Sequence, residues 1–350
     1  MQGGMTVEGP VVRDTEPTAI ENLGRYFICD AVPTCAVASG DTVFVGFGDG
    51  QVRIFRPDLP MQELPAHAVS VLSMARHGTG VLTGGDDGRL VQISQDGVVT
   101  ELTSFGNRWV DCVASARNGT WAASVGKTAH VRDAEGRAHA LDHPSTVGGL
   151  AFDRRGERLA VAHYGGVTVW TRGRRDWKPA FLKWAGSHVG VTWSQDQRFI
   201  VTTMQENALH GWRLRDKADM RMSGYPAKVK SMDWVGKLPH LASSGAQEAI
   251  CWPFDGSSGP MGKSPLALCD DGGALATAVA GLPGHDGLLC GFDNGVVLFS
   301  ELDAAAQPRV IKRRSGAAIT HLLVTPDSGW MLAAAEDGLI LWAPLGRTGG

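Results

Sequence analysis

No two of the six cysteines (Cys29, Cys35, Cys112, Cys251, Cys269 and Cys290) form a Cys-x-x-Cys pair, and none keeps a regular spacing to a histidine. Neither a disulfide framework nor a zinc site is indicated, and buried free thiols in a reducing compartment are expected. No window approaches eighteen apolar residues, and Met1 to Glu21 carries Glu8, Arg13, Asp14 and Glu16 without the apolar stretch of a leader. The expectation is therefore a cytoplasmic protein with no membrane contact. An excess of one charge is absent too. Lys plus Arg number 33 against 36 Asp plus Glu, a formal net charge of -3, which gives no global attraction to nucleic acid or acidic lipid. No Gly-x-Ser-x-Gly elbow occurs, and the Gly256 to Ser264 stretch lacks the strand-to-helix setting of a phosphate loop.

Glycine, by contrast, is abundant, with 46 residues in 350, and 43% of the chain is hydrophobic. That composition fits a folded, turn-rich protein and excludes a disordered one. The Arg-heavy, Ala- and Gly-rich usage points to a bacterial source. A unit of about forty residues recurs along the chain and closes at Phe55, Ile93, Arg132, Trp170, Trp212, Trp252, Phe299 and Trp342. In the second unit Ser70 to Ala75 alternates as a strand, Gly80 to Gly84 follows, and Arg89 to Ile93 returns across Asp86-Asp87-Gly88. Asp-Gly between short β-runs is a hairpin signal. The third unit, Trp121 to Arg132, is the weakest copy, because it lacks both the acid and the closing aromatic.

An outer strand follows most closing residues, as in Val98 to Thr103, Arg137 to Leu141, Pro179 to Trp184 and Pro308 to Arg313. After Trp342 only Ala-Pro-Leu-Gly-Arg-Thr-Gly-Gly remains, too short and Gly-rich to supply one. Gly24 to Asp30 has the right alternation to supply it from the start of the chain, which hides the edges of an open array. The expected fold is all-β: a closed ring of eight four-stranded blades, with seven as the alternative. Residues 1-22 are expected to be a flexible tail, 23-344 the single ring domain, and 345-350 a second tail.

These residues resemble the WD40 family of β-propellers over roughly Gly24 to Pro344. The resemblance rests on the spacing from an inner-turn acid to the closing residue: Asp49 to Phe55, Asp87 to Ile93, Glu206 to Trp212, Asp293 to Phe299 and Glu336 to Trp342. It implies an internal tetrad of acid, histidine, hydroxyl and tryptophan, which provides the donors that make a buried carboxylate tolerable. The fifth unit matches it most fully, with His188, Thr202, Glu206 and Trp212. The second has His67, Thr83 and Asp87 with Ile93 in place of tryptophan; His143 holds the equivalent place in the fourth, where Tyr164 replaces the acid. A His with an acid and a hydroxyl invites a hydrolase reading, but here they belong to a repeated fold pattern, and they are taken as structural.

With no catalytic residue, cofactor or metal indicated, function is expected on a face. The inner turns and the loops entering the first strands present Arg108, Trp109, Tyr164, Glu206, Asn207, Lys228, Gln247, Phe292 and Asp293, and aromatic and arginine side chains there suit interface anchors. A basic loop offers Arg174, Arg175 and Trp177, although Trp177 packing on the outer strand is the favoured alternative. Lys312-Arg313-Arg314 is read as solvated charge, and Asp255 to Pro265 as a mobile loop. The expected function is a non-catalytic scaffold for a protein or peptide partner, a monomer by itself or a subunit of a larger complex. The alternatives are a propeller enzyme using its central channel, or a nucleic-acid adaptor using the Arg172 to Lys178 loop.

Overall fold

A computed structural model describes residues 16–346. Its strands pair antiparallel into seven hydrogen-bonded sheets, six of four strands and one of six. Unit 1 shows the plan. Pro33–Ser39, Thr42–Phe47, Gln51–Phe55 and Gln62–Pro65 follow one another across the sheet, each paired with the next. The second strand is buried throughout and the fourth is half exposed, so the core of each unit lies in its middle strands. The same order recurs in units 2, 3, 6 and 7. The doubtful third unit is complete, with strands Cys112–Ser115, Trp121–Val125, Thr128–Arg132 and Ala138–Asp142.

The six-stranded sheet is two units joined. Its elements Arg158–Arg172 and Trp177–Trp193 contain 15 and 17 residues. A straight strand of the first length would span about 50 Å, yet the Arg172 N–H donates to the Glu157 carbonyl at 2.8 Å. The chain therefore folds back at Tyr164-Gly165, with Gly165 at φ +93 and Gly166 at φ +136. The first half of Trp177–Trp193 pairs with unit 4, and its second half pairs with Phe199–Met204 of unit 5. All eight repeat units are thus present, carried in seven continuous sheets; the alternative count of seven is the number of sheets.

The ring is closed by an N-terminal strand. Arg25–Ile28 pairs antiparallel with Leu339–Pro344, with Arg25 opposite Trp342 and Ile28 opposite Leu339. Phe27 then meets Phe55 edge-on at 5.3 Å, which ties the closing strand to unit 1. Local chemistry fixes the turns beside it. Gly338, at φ +86, follows Asp337, and a Cβ there would collide with the Cys29 carbonyl oxygen. Gly88 in unit 2 is held in the same way against the Gly106 carbonyl, so the Asp-Gly pairs are required by close backbone approach as well as by turn type.

Two boundary expectations change. Ala19–Leu23, which begins inside the expected tail, is a short helix with a capping box between Thr18 and Glu21, and Thr18 Oγ1 donates to the Ile311 carbonyl at 2.6 Å. Asp255 to Pro265 is tied down: Arg198 donates to Gly256 O at 2.8 Å, Lys263 Nζ to Asp255 Oδ1 at 2.7 Å, and Gly259 lies on Phe199. The expected second tail reaches beyond the described residues. No helix among the described residues is long and apolar enough to cross a membrane.

Candidate interaction face

Antiparallel strands alternate in direction, so the second-to-third turns and the connections between units share one end of the ring, here the entry face. The first-to-second and third-to-fourth turns share the opposite face. Beneath the entry face run the polar relays. In unit 2, His67 Nδ1 lies 2.9 Å from Asp87 Oδ1 and its Nε2 lies 2.9 Å from Thr83 Oγ1. Asp87 also accepts from the Ala68 N–H at 3.0 Å and the Arg89 N–H at 3.1 Å. Burial opposes its charge, but these donors outweigh it and hold the carboxyl below the usual carboxylate range. Burial also lowers the His67 pKa despite the carboxylate beside it. His67 is therefore neutral at pH 7, and the contact is a hydrogen bond from Nδ1–H rather than an ion pair.

Unit 5 departs from expectation. His188 Nδ1 meets Thr202 Oγ1 at 2.8 Å, but its Nε2 faces the Trp184 carbonyl at 3.2 Å. Glu206 is exposed and accepts instead from the Ser187 N–H at 3.3 Å, so the acid expected to complete this tetrad stands outside it. The most complete acid–histidine–hydroxyl chain belongs to unit 2. In unit 4 the Trp170 indole donates to His143 Nε2 at 2.9 Å, while His143 Nδ1 faces the Lys127 carbonyl at 3.2 Å. Unit 6 has a relay that the histidine pattern missed: Trp252 Nε1 donates to Tyr225 Oη at 2.7 Å, and Tyr225 Oη lies 2.7 Å from Ser243 Oγ. The signal was available, since Tyr225 precedes Trp252 by the interval that separates His143 from Trp170.

Topology places Arg108 and Trp109 in the connection between units 2 and 3, Tyr164 in the inner turn of unit 4, and Glu206 and Asn207 in that of unit 5. It places Lys228 in the connection to unit 6 and Gln247 in the inner turn of that unit. All lie on the entry face. Their states differ. Trp109 is 60% exposed and Tyr164 65%, whereas Asn207 Nδ2 is committed to the Pro226 carbonyl at 3.1 Å and Lys228 Nζ to Gln205 Oε1 at 2.6 Å. Phe292 is corrected: it is 0% exposed, because the strand Gly287–Phe292 carries its alternation into the turn and seals the core between units 6 and 7. Arg174, Arg175 and Trp177 lie at the third-to-fourth turn of unit 4, on the opposite face, and Trp177 is 6% exposed in the core of units 3 and 4. Lys312, read as solvated charge, is 1% exposed and donates to Gly295 O and Ser315 Oγ, each at 2.8 Å.

A groove of about 440 Å³ opens beside Tyr164, lined also by Phe181, Trp184, Val167, Lys183 and Pro144. Its walls come from the outer strand of unit 4, where Leu182 points inward and so turns Phe181 and Lys183 outward. With Val32, Val69 and Trp109, exposed apolar side chains occupy the entry-face connections from the closing seam to unit 3.

No family model matches the sequence, and no curated protein matches it. Solved structures do match over most of the chain. The crystal structure of the RRP9 WD40 repeats aligns with a TM-score of 0.59 at 13% identity, covering 94% of this chain and 99% of that one. The fold is that of a WD40-type β-propeller. The propeller is also similar to U3-55K, with a TM-score of 0.61 at 13% identity and coverage of 94% and 100%. Its likeness to the computationally designed Ika8 protein has a TM-score of 0.71 at 16% identity, with coverage of 91% and 98%. At such identities the propeller shares architecture with these proteins, and its site has to be read from its own residues.

Proposed function

We propose that the propeller is a non-catalytic scaffold that binds a protein or peptide partner on its entry face, either alone or as a subunit of a larger complex. The observation that carries this reading is the pair of largely exposed rings, Trp109 and Tyr164, with a groove beside the second. Large aromatic side chains left in water at a concave site are suited to act as anchors that gain energy on burial by a partner. In this reading Tyr164 and Phe181 flank an apolar side chain of the partner, and Trp109 meets a second contact one unit away. The histidine relays support a structural role, since the His67 side chain is buried and the other acceptor positions of Asp87 face backbone amides. We place the protein in the cytoplasm, with its thiols reduced.

The test is affinity capture from the native cell, using the wild type and the double variant Trp109→Ala/Tyr164→Ala. Capture of a protein partner by the wild type and its loss in the variant, with an unchanged far-UV spectrum and melting temperature, is the expected result. Full retention of that partner by a folded variant would refute the assignment.

A further inference from the structure

The opposite face carries a charge asymmetry that the net charge conceals. In units 3 to 5, the turns spanning 116–120, 132–137, 153–158, 172–178, 194–198 and 213–217 contain fourteen Arg and Lys residues against seven Asp and Glu. The corresponding turns of units 6 to 8, spanning 236–240, 254–264, 282–286, 302–308 and 325–329, contain two lysines against four aspartates. A chain of net charge -3 thus concentrates an excess of seven positive charges on less than half of one face.

Most of the acids in that patch are already engaged. Asp133 holds Arg137, Asp153 holds Arg158, Asp216 holds Arg213, Asp196 holds Arg198, and Glu135 holds Arg172. Among the described residues Glu157 and Asp176 are the two acids of the patch without an ion pair. Arg117, Arg154, Arg155, Arg174 and Arg175 are exposed and have no carboxylate within ion-pair distance among the described residues. Their turns are fastened to one another: Arg137 donates to the Arg174 carbonyl at 3.2 Å, Asn118 to the Arg155 carbonyl at 3.4 Å, and the Arg154 N–H to Gln197 Oε1 at 2.9 Å. Between units 4 and 5 a cavity of about 460 Å³ is lined by Arg154, Arg155 and Arg158 together with Asp153, Glu157 and Asp196; Arg158 and Arg198 occupy Asp153 and Asp196, which leaves Arg154 and Arg155 as its uncommitted cations.

We propose that this arginine face binds an acidic polypeptide segment, rich in Asp and Glu, independently of the entry-face partner. Guanidinium groups match carboxylates as discrete two-pronged pairs, and five free ones held on fastened turns offer that geometry repeatedly. Nucleic acid fits less well. The aromatic rings of this region are unavailable for base stacking: Trp121, Trp177 and Trp193 are buried, and Arg158 covers Trp193 at 4.5 Å. Glu157 and Asp176 would also face a continuous phosphate backbone, whereas a peptide can place neutral residues opposite them.

Fluorescence anisotropy of the full chain tests this with three labelled probes: a fifteen-residue Glu/Asp-rich peptide, a single-stranded oligonucleotide and a short duplex of similar charge. The variants are Arg154→Glu/Arg155→Glu, Arg174→Glu/Arg175→Glu, and the control Lys237→Glu/Lys263→Glu, which makes the same change in charge on unit 6. The expected result is peptide binding that weakens by about tenfold or more between low and physiological salt. Each arginine variant should lose about tenfold in peptide affinity while the control does not. Tighter binding of either nucleic acid than of the peptide, an equal loss in the control, or no peptide binding at low salt would overturn the proposal. Each readout is separate from capture through Trp109 and Tyr164.

Discussion

Acidification should destabilise this propeller before most of its carboxylates titrate, because several histidines are buried in the neutral form. Burial is the first cause in each case: it pushes His143, His210 and His321 down to about 4 from an ordinary 6.5. Geometry reinforces it at His143, whose Nε2 already accepts from the Trp170 indole and would oppose that donor once protonated. His210 is stacked on Trp184 at 4.0 Å, and both its ring nitrogens lack a hydrogen bond among the described residues. Its Nε2 lies 3.5 Å from Asp219 Oδ2, but a neutral ring makes no ion pair there. A histidine whose folded pKa is depressed stays neutral while the unfolded chain takes up a proton, so stability falls as pH drops below about 6.5 and levels off near 4. At pH 5 each of the three costs about 2 kcal/mol relative to pH 7.5. Asp233 acts in the opposite sense. Burial raises its carboxyl to about 6, partly offset by the Gly281 and Trp234 amides, so acidification returns about 1.4 kcal/mol. The net loss is on the order of 4 kcal/mol. Urea unfolding followed by tryptophan fluorescence at pH 7.5 and pH 5 measures it, and His210→Phe should reduce the difference by about 2 kcal/mol. Equal stability at the two pH values, or an unchanged difference in His210→Phe, would refute the reasoning.

Two further outcomes follow from the closure and the relays. Deleting residues 1–28 removes the strand that covers Leu339–Pro344 and its Phe27–Phe55 contact, and should cost at least about 3 kcal/mol; an unchanged melting temperature would count against closure by this strand. Asp87→Ala should cost about 2–4 kcal/mol, because it strips His67 and two backbone amides of their acceptor, whereas Glu206→Ala should stay within about 0.5 kcal/mol. Thermal melts of both variants check the contrast, and comparable losses would show that the carboxylate of unit 5 was misplaced.

The architecture was legible because its signals are local. An Asp-Gly turn and the residue that closes its hairpin lie within seven positions of each other, and the missing outer strand after Trp342 exposed the need for Arg25–Ile28. The relays were less legible, because spacing identifies a position without its side-chain direction. Asp87 is short, and the turn at Gly88, φ +77, holds its carboxylate over His67. Unit 5 has Glu206-Asn207-Ala208 at that place; the longer side chain swings to the surface and leaves His188 to a backbone carbonyl. Tyr225 was overlooked because a phenol can replace imidazole as both donor and acceptor. Phe292 was placed on a face by its nearness to a turn, but alternation continued one residue further and buried it, whereas Trp177 packs on the outer strand as the favoured reading had it. The arginine excess was visible only as the single run from Arg172 to Lys178, since the remaining charges are scattered along the chain and gathered only by the ring.

The sharing of Trp177–Trp193 between units 4 and 5 has a consequence for recognition. Most neighbouring units are separated by a loop, and each such joint is a place where the surface can shift. Here the chain turns at Gly186, φ +130, straight from the outer strand of unit 4 into the inner strand of unit 5, with no loop between them to take up a shift. The Tyr164 groove lies at one end of these two units, and Arg154, Arg155, Arg174 and Arg175 lie at the other. A partner arriving at either end meets side chains whose spacing is already set, and little of its binding energy is lost to ordering the receptor.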